Sequence, residues 1–165
     1  MIIRKPKLSD TDNFFNMLVN LDNETKFMLF APGERGIDTS RVKAMIENSE
    51  SGYHLLLIAD DGNEIVGFIS AQRGLTNRIK HSAYIVVGIR QAYRGKGIGT
   101  KFFQKLDKWA QENKVTRLEL TVLCPNTIAK HLYEKNGFVV EGLKKHTVLL
   151  DGKYVDVYLM AKIYE

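Results

Sequence analysis

The chain has 165 residues, of which 44% are apolar and 26% charged, with a net charge of +5; this is the size and composition of a single globular domain spanning 1–165. No run of about 18 apolar residues occurs, which excludes a membrane-spanning helix, and Met1-Ile2-Ile3-Arg4-Lys5-Pro6 lacks the apolar core of a signal peptide. The single Cys124 allows no internal disulfide and points to a reducing, cytoplasmic setting, and His54, His81, His131 and His146 are too scattered to build a metal site, so no metal is expected.

In chain order, Met1–Arg4 reads as a short strand. Ser9-Asp10-Thr11-Asp12 offers a hydroxyl cap with an acid three residues on, a helix start. Phe14, Leu18 and Leu21 follow at helical spacing, widened by Phe15 and Met17. Phe27–Ile37, with Pro32-Gly33 and Gly36, is a loop. A second helix begins near Asp38 or Thr39, buries Val42, Met45 and Ile46, and ends over Asn48–Gly52. Tyr53–Asp60 and Glu64–Gln72 are strands joined by the turn Asp60-Asp61-Gly62-Asn63, and Gly74–Arg78 is a polar loop. His81–Arg90 is continuously apolar, which predicts a central strand covered on both faces; Gly88 within it marks a bulge or a close backbone approach.

The glycine-rich Gln91–Gly99 leads into a helix to about Asn113, with Phe102, Phe103, Leu106, Trp109 and Ala110 inside and Lys101, Lys105 and Lys108 outside. Strand Arg117–Leu123 follows. Asn126 caps a short helix, Thr127–Lys135, that Asn136-Gly137 ends. Strands Phe138–Leu150 and Lys153–Ile163 meet at Asp151-Gly152, a strong hairpin signal. Strand His81–Arg90, the cationic helix and strand Arg117–Leu123 form a parallel β-α-β unit with antiparallel hairpins on either side.

Chemistry concentrates at the turn before the cationic helix. Between Arg90 and Lys108 six cations face one acid, Asp107, a local excess that suits a small polyanion such as a nucleotide phosphate. A plain solvated helix face is the competing reading. Nucleic acid is disfavoured, since no basic arm or aromatic-interleaved basic stripe accompanies the cluster. A Walker A loop fails because Gly95-Lys96 is followed by Gly97 and Arg90 stands where the first Gly belongs. A dinucleotide fingerprint fails at Thr100 or Phe102. What fits is Arg94-Gly95-Lys96-Gly97-Ile98-Gly99, or R-x-x-G-x-G, whose backbone N–H groups can converge on phosphate at a helix N-terminus.

That motif resembles the acyl-CoA loop Q/R-x-x-G-x-G/A of the GNAT N-acetyltransferases. A second element, Asn126-Thr127-Ile128-Ala129-Lys130-His131-Leu132-Tyr133-Glu134-Lys135-Asn136-Gly137-Phe138, is similar to that family's N-x-x-A-x-x-L-Y-x-x-x-G-F. A third, Glu141-Gly142 followed by Asp151-Gly152-Lys153-Tyr154-Val155-Asp156, resembles the terminal hairpin of members acting on ribosomal-protein N-termini, polyamines or small amines. Pro125 departs from the pattern, where an Asp often precedes the Asn; this bears on the turn more than on the chemistry. The resemblance implies an α/β fold with a mixed, mostly antiparallel central sheet, its parallel β-α-β core splayed at strands four and five, and helices on both faces.

It also implies acetyl-CoA as co-substrate and direct acetyl transfer to a primary amine, either a small molecule or a peptide N-terminus, with a homodimer left open. The residues from Arg94 through Gly95, Lys96, Gly97, Ile98 and Gly99 to Thr100 would hold the pyrophosphate. A donor on the strand near Val87–Ile89, splayed at Gly88, would polarise the thioester carbonyl; Ile89 would also pair with the pantetheine arm, and Asn126 would reach its amide. Tyr133 is the candidate general acid, with its pKa lowered by nearby helix N-termini so that it can protonate a thiolate; a merely packed Tyr is the alternative. His81 lies six residues from Val87, roughly 20 Å away along a strand, too far to be the base. Glu34, Glu119 or water remain for that role. Cys124 has no His placed to activate it as a nucleophile, while Trp109 and His54 read as structural. A catalytically silent acyl-CoA-binding domain of the same fold is the other reading. The loop Phe27–Ile37, the second helix and the terminal hairpin would set the acceptor.

Overall fold

The computed structural model describes residues 1–165. Seven strands form one sheet: β1 (Ile2–Arg4), β2 (Leu55–Asp60), β3 (Ile65–Arg73), β4 (Ser82–Ile89), β5 (Arg117–Leu123), β6 (Val139–Leu150) and β7 (Lys153–Ile163). Their order is β1-β2-β3-β4-β5-β7-β6, and every neighbouring pair is antiparallel except β4–β5. The helices are α1 (Thr11–Glu24), α2 (Ser40–Ser49), α3 (Ile98–Glu112) and α4 (Thr127–Lys135). The parallel pair is the one joined through a helix, α3, because a parallel crossover needs that length of chain.

Strand alternation divides the core into two layers. On one face Phe14, Phe15, Met17, Leu18 and Leu21 of α1 and Val42 and Ile46 of α2 pack on Leu56, Ile58, Ile65 and Phe68. On the other, Phe102, Phe103, Leu106, Trp109 and Ala110 of α3 and Tyr133 of α4 pack on Leu55, Leu57, Ile69, Ile85, Leu118, Leu120 and Val122. The helix faces are those the 3.6-residue period marks, and Lys101, Lys105 and Lys108 face solvent.

β5 keeps rungs with β7 along its whole length, from Arg117↔Ile163 to Leu123↔Val157. With β4 it keeps three, ending at Tyr84↔Glu119. Beyond that rung β4 follows β3 and β5 follows β7, so the sheet opens into a V.

Three expectations change. Ser9 caps nothing: Leu8–Asp10 form a 3₁₀ turn, and Asp10 accepts the Lys7 N–H at 2.6 Å while holding Arg4 at 2.8 and 2.9 Å. Arg4 also binds Asp60, so the start of α1 is tied to β1 and β2 by charge. Second, β4 is central, but one of its faces is covered only at its end. Ala83 and Ile85 are buried, whereas Tyr84 and Val86 lie 39% and 37% exposed on the face carrying α1 and α2, because those helices stop over β2, β3 and the end of β4. Third, Gly88 is no bulge, since its register with β3 is unbroken. It is a close approach: an added Cβ would lie 2.8 Å from Leu21 Cδ1 and 3.0 Å from Phe68 Cε1.

Gly88→Ala should therefore destabilise the protein by about 1–3 kcal/mol through overpacking. In a denaturant-unfolding double-mutant cycle the penalty should shrink on a Leu21→Ala background. An undiminished penalty would place its cause elsewhere.

Candidate active site

The turn between β4 and α3 is braced before it becomes glycine-rich. At the end of α1, Glu24 Oε1 accepts from Arg90 Nε at 3.0 Å and Nη2 at 2.8 Å, and its Oε2 accepts the Gln91 N–H at 2.8 Å. Arg90 Nη1 also donates to Glu64, and the Tyr93 hydroxyl donates to Asp61 at 2.6 Å. Burial would push the Glu24 carboxyl up, but the Arg90 and Gln91 hydrogen bonds outweigh it and hold it below the ordinary 4.5.

Past this brace the chain turns on Gly95 and Gly97, at φ 72° and 79°, where a side chain would be strained. From Gly95 to Thr100 no backbone N–H meets an acceptor in the protein. Six successive donors thus open α3, whose dipole adds positive potential. Arg94 N–H is spent on Gln91 O, so Arg94 differs from the residues after it; its Nε donates to Ile89 O at 3.0 Å. Lys96 Nζ lies 5.0 Å above the Tyr93 ring. Gly99 serves packing, since a Cβ there would sit 3.0 Å from Leu132 on α4.

The V beside this loop exposes one edge of β4. Arg90 N–H bonds Val66 O and Gly74 N–H bonds Ser82 O. With this register, antiparallel alternation directs the even-numbered residues of β4 to β3 and turns the N–H groups of Val87 and Ile89 toward β5. No β5 rung reaches them. Asn126, at the start of α4, accepts the Ala129 N–H on Oδ1 at 3.3 Å, leaving its Nδ2 free to donate.

Tyr133 is buried edge-on against Phe103, with Phe138 tilted beside it. Its hydroxyl has no protein partner, yet no sealed side-chain polar atom lacks one; the hydroxyl therefore keeps a path to solvent. Burial, with a smaller contribution from Tyr84, pushes the phenol up to about 12. This corrects the expected lowering: Tyr133 sits in the second half of α4 among aromatic rings, where desolvation outweighs any helix dipole.

On the open face, the Tyr84 hydroxyl and Thr121 Oγ1 are 2.8 Å apart, bridging β4 and β5 where they part. Arg117 binds Glu119 at 2.8 Å and Glu141 at 2.6 and 2.9 Å. Glu34 accepts the Ala31 N–H within its own loop. His81 precedes β4 at the end away from the V. Cys124 is half-buried, its N–H on Asp156 O. Lys26, after α1, pairs with Asp151 at the hairpin tip, linking the α1–α2 loop to the β6–β7 turn. Sequence reasoning missed Tyr84 because the apolar run of β4 conceals which of its residues face a gap, and missed Thr121 because the alternation of β5 gives its face but not its partner across the parting. It also missed Glu24, 66 residues from Arg90.

The profile described as the acetyltransferase (GNAT) family matches residues 15–138. The L-amino acid N-acetyltransferase AaaT of Escherichia coli (strain K12) is 30% identical over 111 residues, covering 65% of this chain and 67% of that one. A GNAT-family acetyltransferase from Streptococcus pneumoniae superposes with a TM-score of 0.92 at 27% identity, over 99% of both chains. The structure of yncA from Salmonella typhimurium with its cofactor acetyl-CoA superposes at 0.86 with 18% identity, over 99% of this chain and 94% of that one, a likeness of fold.

The Glu24 brace sets a pH signature. A carboxyl held below its unfolded value adds stability above about pH 4.5, and that stability is lost as pH falls through the folded value. Glu24→Gln should cost about 1–2 kcal/mol at pH 7, and the gap in melting temperature from the parent should close in acid. A gap that does not narrow at all as the pH is lowered from 7 into strong acid would mean that the carboxylate charge is not what braces the loop.

Proposed function

Because the chain belongs to the acetyltransferase (GNAT) family, we propose that it transfers an acetyl group from acetyl-CoA to a primary amine, a small molecule or a peptide N-terminus, by direct attack in a ternary complex. The observation that carries this reading is the V between β4 and β5, whose unpaired β4 edge lies beside a turn with six free N–H groups. The two features suit the two ends of one ligand: an extended amide-bearing arm can continue the sheet as an added strand, and a pyrophosphate can take the N–H groups.

Bound acetyl-CoA supplies an activated thioester. In this reading the N–H groups from Gly95 to Thr100, with the Arg94 and Lys96 side chains, hold the pyrophosphate. Ile89 pairs with the pantetheine arm and Asn126 Nδ2 donates to its amide. Val87 N–H meets the charge that gathers on the carbonyl oxygen during attack, and it costs no reorganisation because the strand fixes it in advance. Tyr133 gives its proton to the leaving sulfur. From a buried phenol near 12 to a thiol with its solution value near 8.5 that transfer would be uphill by several kcal/mol. In the same dry pocket desolvation raises the thiol as well, which narrows the gap.

Tyr133→Phe should keep the rise in melting temperature that acetyl-CoA gives the parent and lose turnover by roughly 10²–10⁴-fold. The parent's kcat should not fall between pH 8 and pH 10, since a phenol near 12 stays protonated there. Activity within two- or threefold of the parent, with chemistry rate-limiting, would make Tyr133 a packed aromatic. A parent that acetyl-CoA does not stabilise would remove the reading itself.

A further inference from the structure

The reaction leaves one proton without an owner. An amine enters largely as an ammonium and must lose a proton before its nitrogen can attack. Each carboxylate near the open face is already engaged. Glu119 and Glu141 hold Arg117, Glu34 holds Ala31 N–H and Asp151 holds Lys26. Asp156 holds His146 N–H, and Glu24 holds Arg90 and Gln91. The parting of β4 and β5 also carries two hydroxyls, those of Tyr84 and Thr121, 2.8 Å apart and bonded to no charged group.

We infer that the Tyr84–Thr121 hydroxyl pair is the docking point for the acceptor amine, which binds there as the neutral base after losing its proton to water. This rests on the acetyl-transfer reading above. Three observations support it. The pair lies immediately beyond the last β4–β5 rung, Tyr84↔Glu119, where the V begins. Tyr84 is 39% exposed on the open face, opposite the face on which Tyr133 is buried with α3 and α4. Finally, Tyr84 is a lesser cause, after burial, of the rise in the Tyr133 phenol. A thioester seated in the V would have the leaving-group acid on one side and the hydroxyl pair on the other.

Each hydroxyl can accept an amine N–H and donate to a neighbour, so the pair can orient a nitrogen lone pair but cannot act as a strong base. The ammonium gives one proton to water. The neutral nitrogen forms a bond to the carbonyl carbon, and the carbon–sulfur bond breaks. Sulfur takes the Tyr133 proton, the new amide sheds its extra proton to water, and Tyr133 is reprotonated from water. The charged groups on the same face of β5 as Thr121 are Arg117 and Glu119, with Glu141 of β6 held to Arg117, so both carboxylates are tied to Arg117; Tyr133, on the other face, is a neutral phenol.

The test uses ethylamine, 2-fluoroethylamine and 2,2-difluoroethylamine, which differ little in size but widely in basicity, with thiol release as the readout. In the parent, kcat/KM for the amine should rise with pH along a single limb that moves with each amine's own pKa. Tyr84→Phe and Thr121→Val should each lower kcat/KM for the amine roughly three- to tenfold, with KM for acetyl-CoA within about twofold of the parent. The double variant should be no worse than the poorer single one, and Thr121→Ser should recover most of what Thr121→Val loses. A second ionisation that stays fixed across the three amines would reveal an enzyme base and overturn the inference. So would unchanged amine kinetics in both variants, or losses that fall on acetyl-CoA; either leaves acetyl transfer standing. A parent that releases no thiol overturns both.

Discussion

β5 hydrogen-bonds to β7 over seven rungs and to β4 over three. β5 stays with the β6–β7 hairpin and leaves β4 after the third rung, whereas β3 keeps both of its neighbours along its length. The cost is a row of unpaired backbone groups on β4, normally avoided in the middle of a sheet. Everything assigned to the site stands on that opening: the edge that would extend onto the pantetheine arm, Tyr133 from the α4 side, and the hydroxyl pair from the other face. Each half of the sheet is anchored by its own hairpin, β2–β3–β4 on one side and β5–β7–β6 on the other, so the opening is held from both sides.

The turn at the head of α3 is fixed in the same spirit. Two glycines take left-handed backbone geometry that would cost another residue about 1–2 kcal/mol each. Six N–H donors are left without partners, a state that is cheap in water and favourable beside an anion. The surrounding anchors are ionic and aromatic, namely Glu24–Arg90–Glu64 and Tyr93–Asp61, and Gly99 lets α4 pack against the first turn of α3. The loop that would meet phosphate is thus tied to α1, to the β2–β3 turn and to α4.

Much of this was legible in the residues because local signals agreed with global ones. The helical period of Phe102, Phe103, Leu106, Trp109 and Ala110, the Asn126 cap, the Gly137 C-cap and the Asp151-Gly152 hairpin all sit where the sequence puts them. Strands β5 and β7 and helix α4 have the bounds that pattern predicts. Other features depended on partners distant in the chain. Asp10 supplants Ser9 because Arg4 and Asp60 converge on the same corner. The continuous apolar run of β4 suggested cover on both faces, yet α1 and α2 pack on β2, β3 and the end of β4 and leave Tyr84 and Val86 uncovered. Tyr133's proton affinity is set by rings from α3 and from the residue before β6, and no spacing within α4 announces them.

Amide hydrogen exchange with and without acetyl-CoA tests most directly whether one ligand continues the edge of β4 and ends on the turn before α3. Protection should rise at Val87 and Ile89 and from Gly95 to Thr100, with little change at the β2–β3 amides already paired within the sheet. Protection confined to the exposed lysine face of α3, or none at Val87 and Ile89, would contradict it.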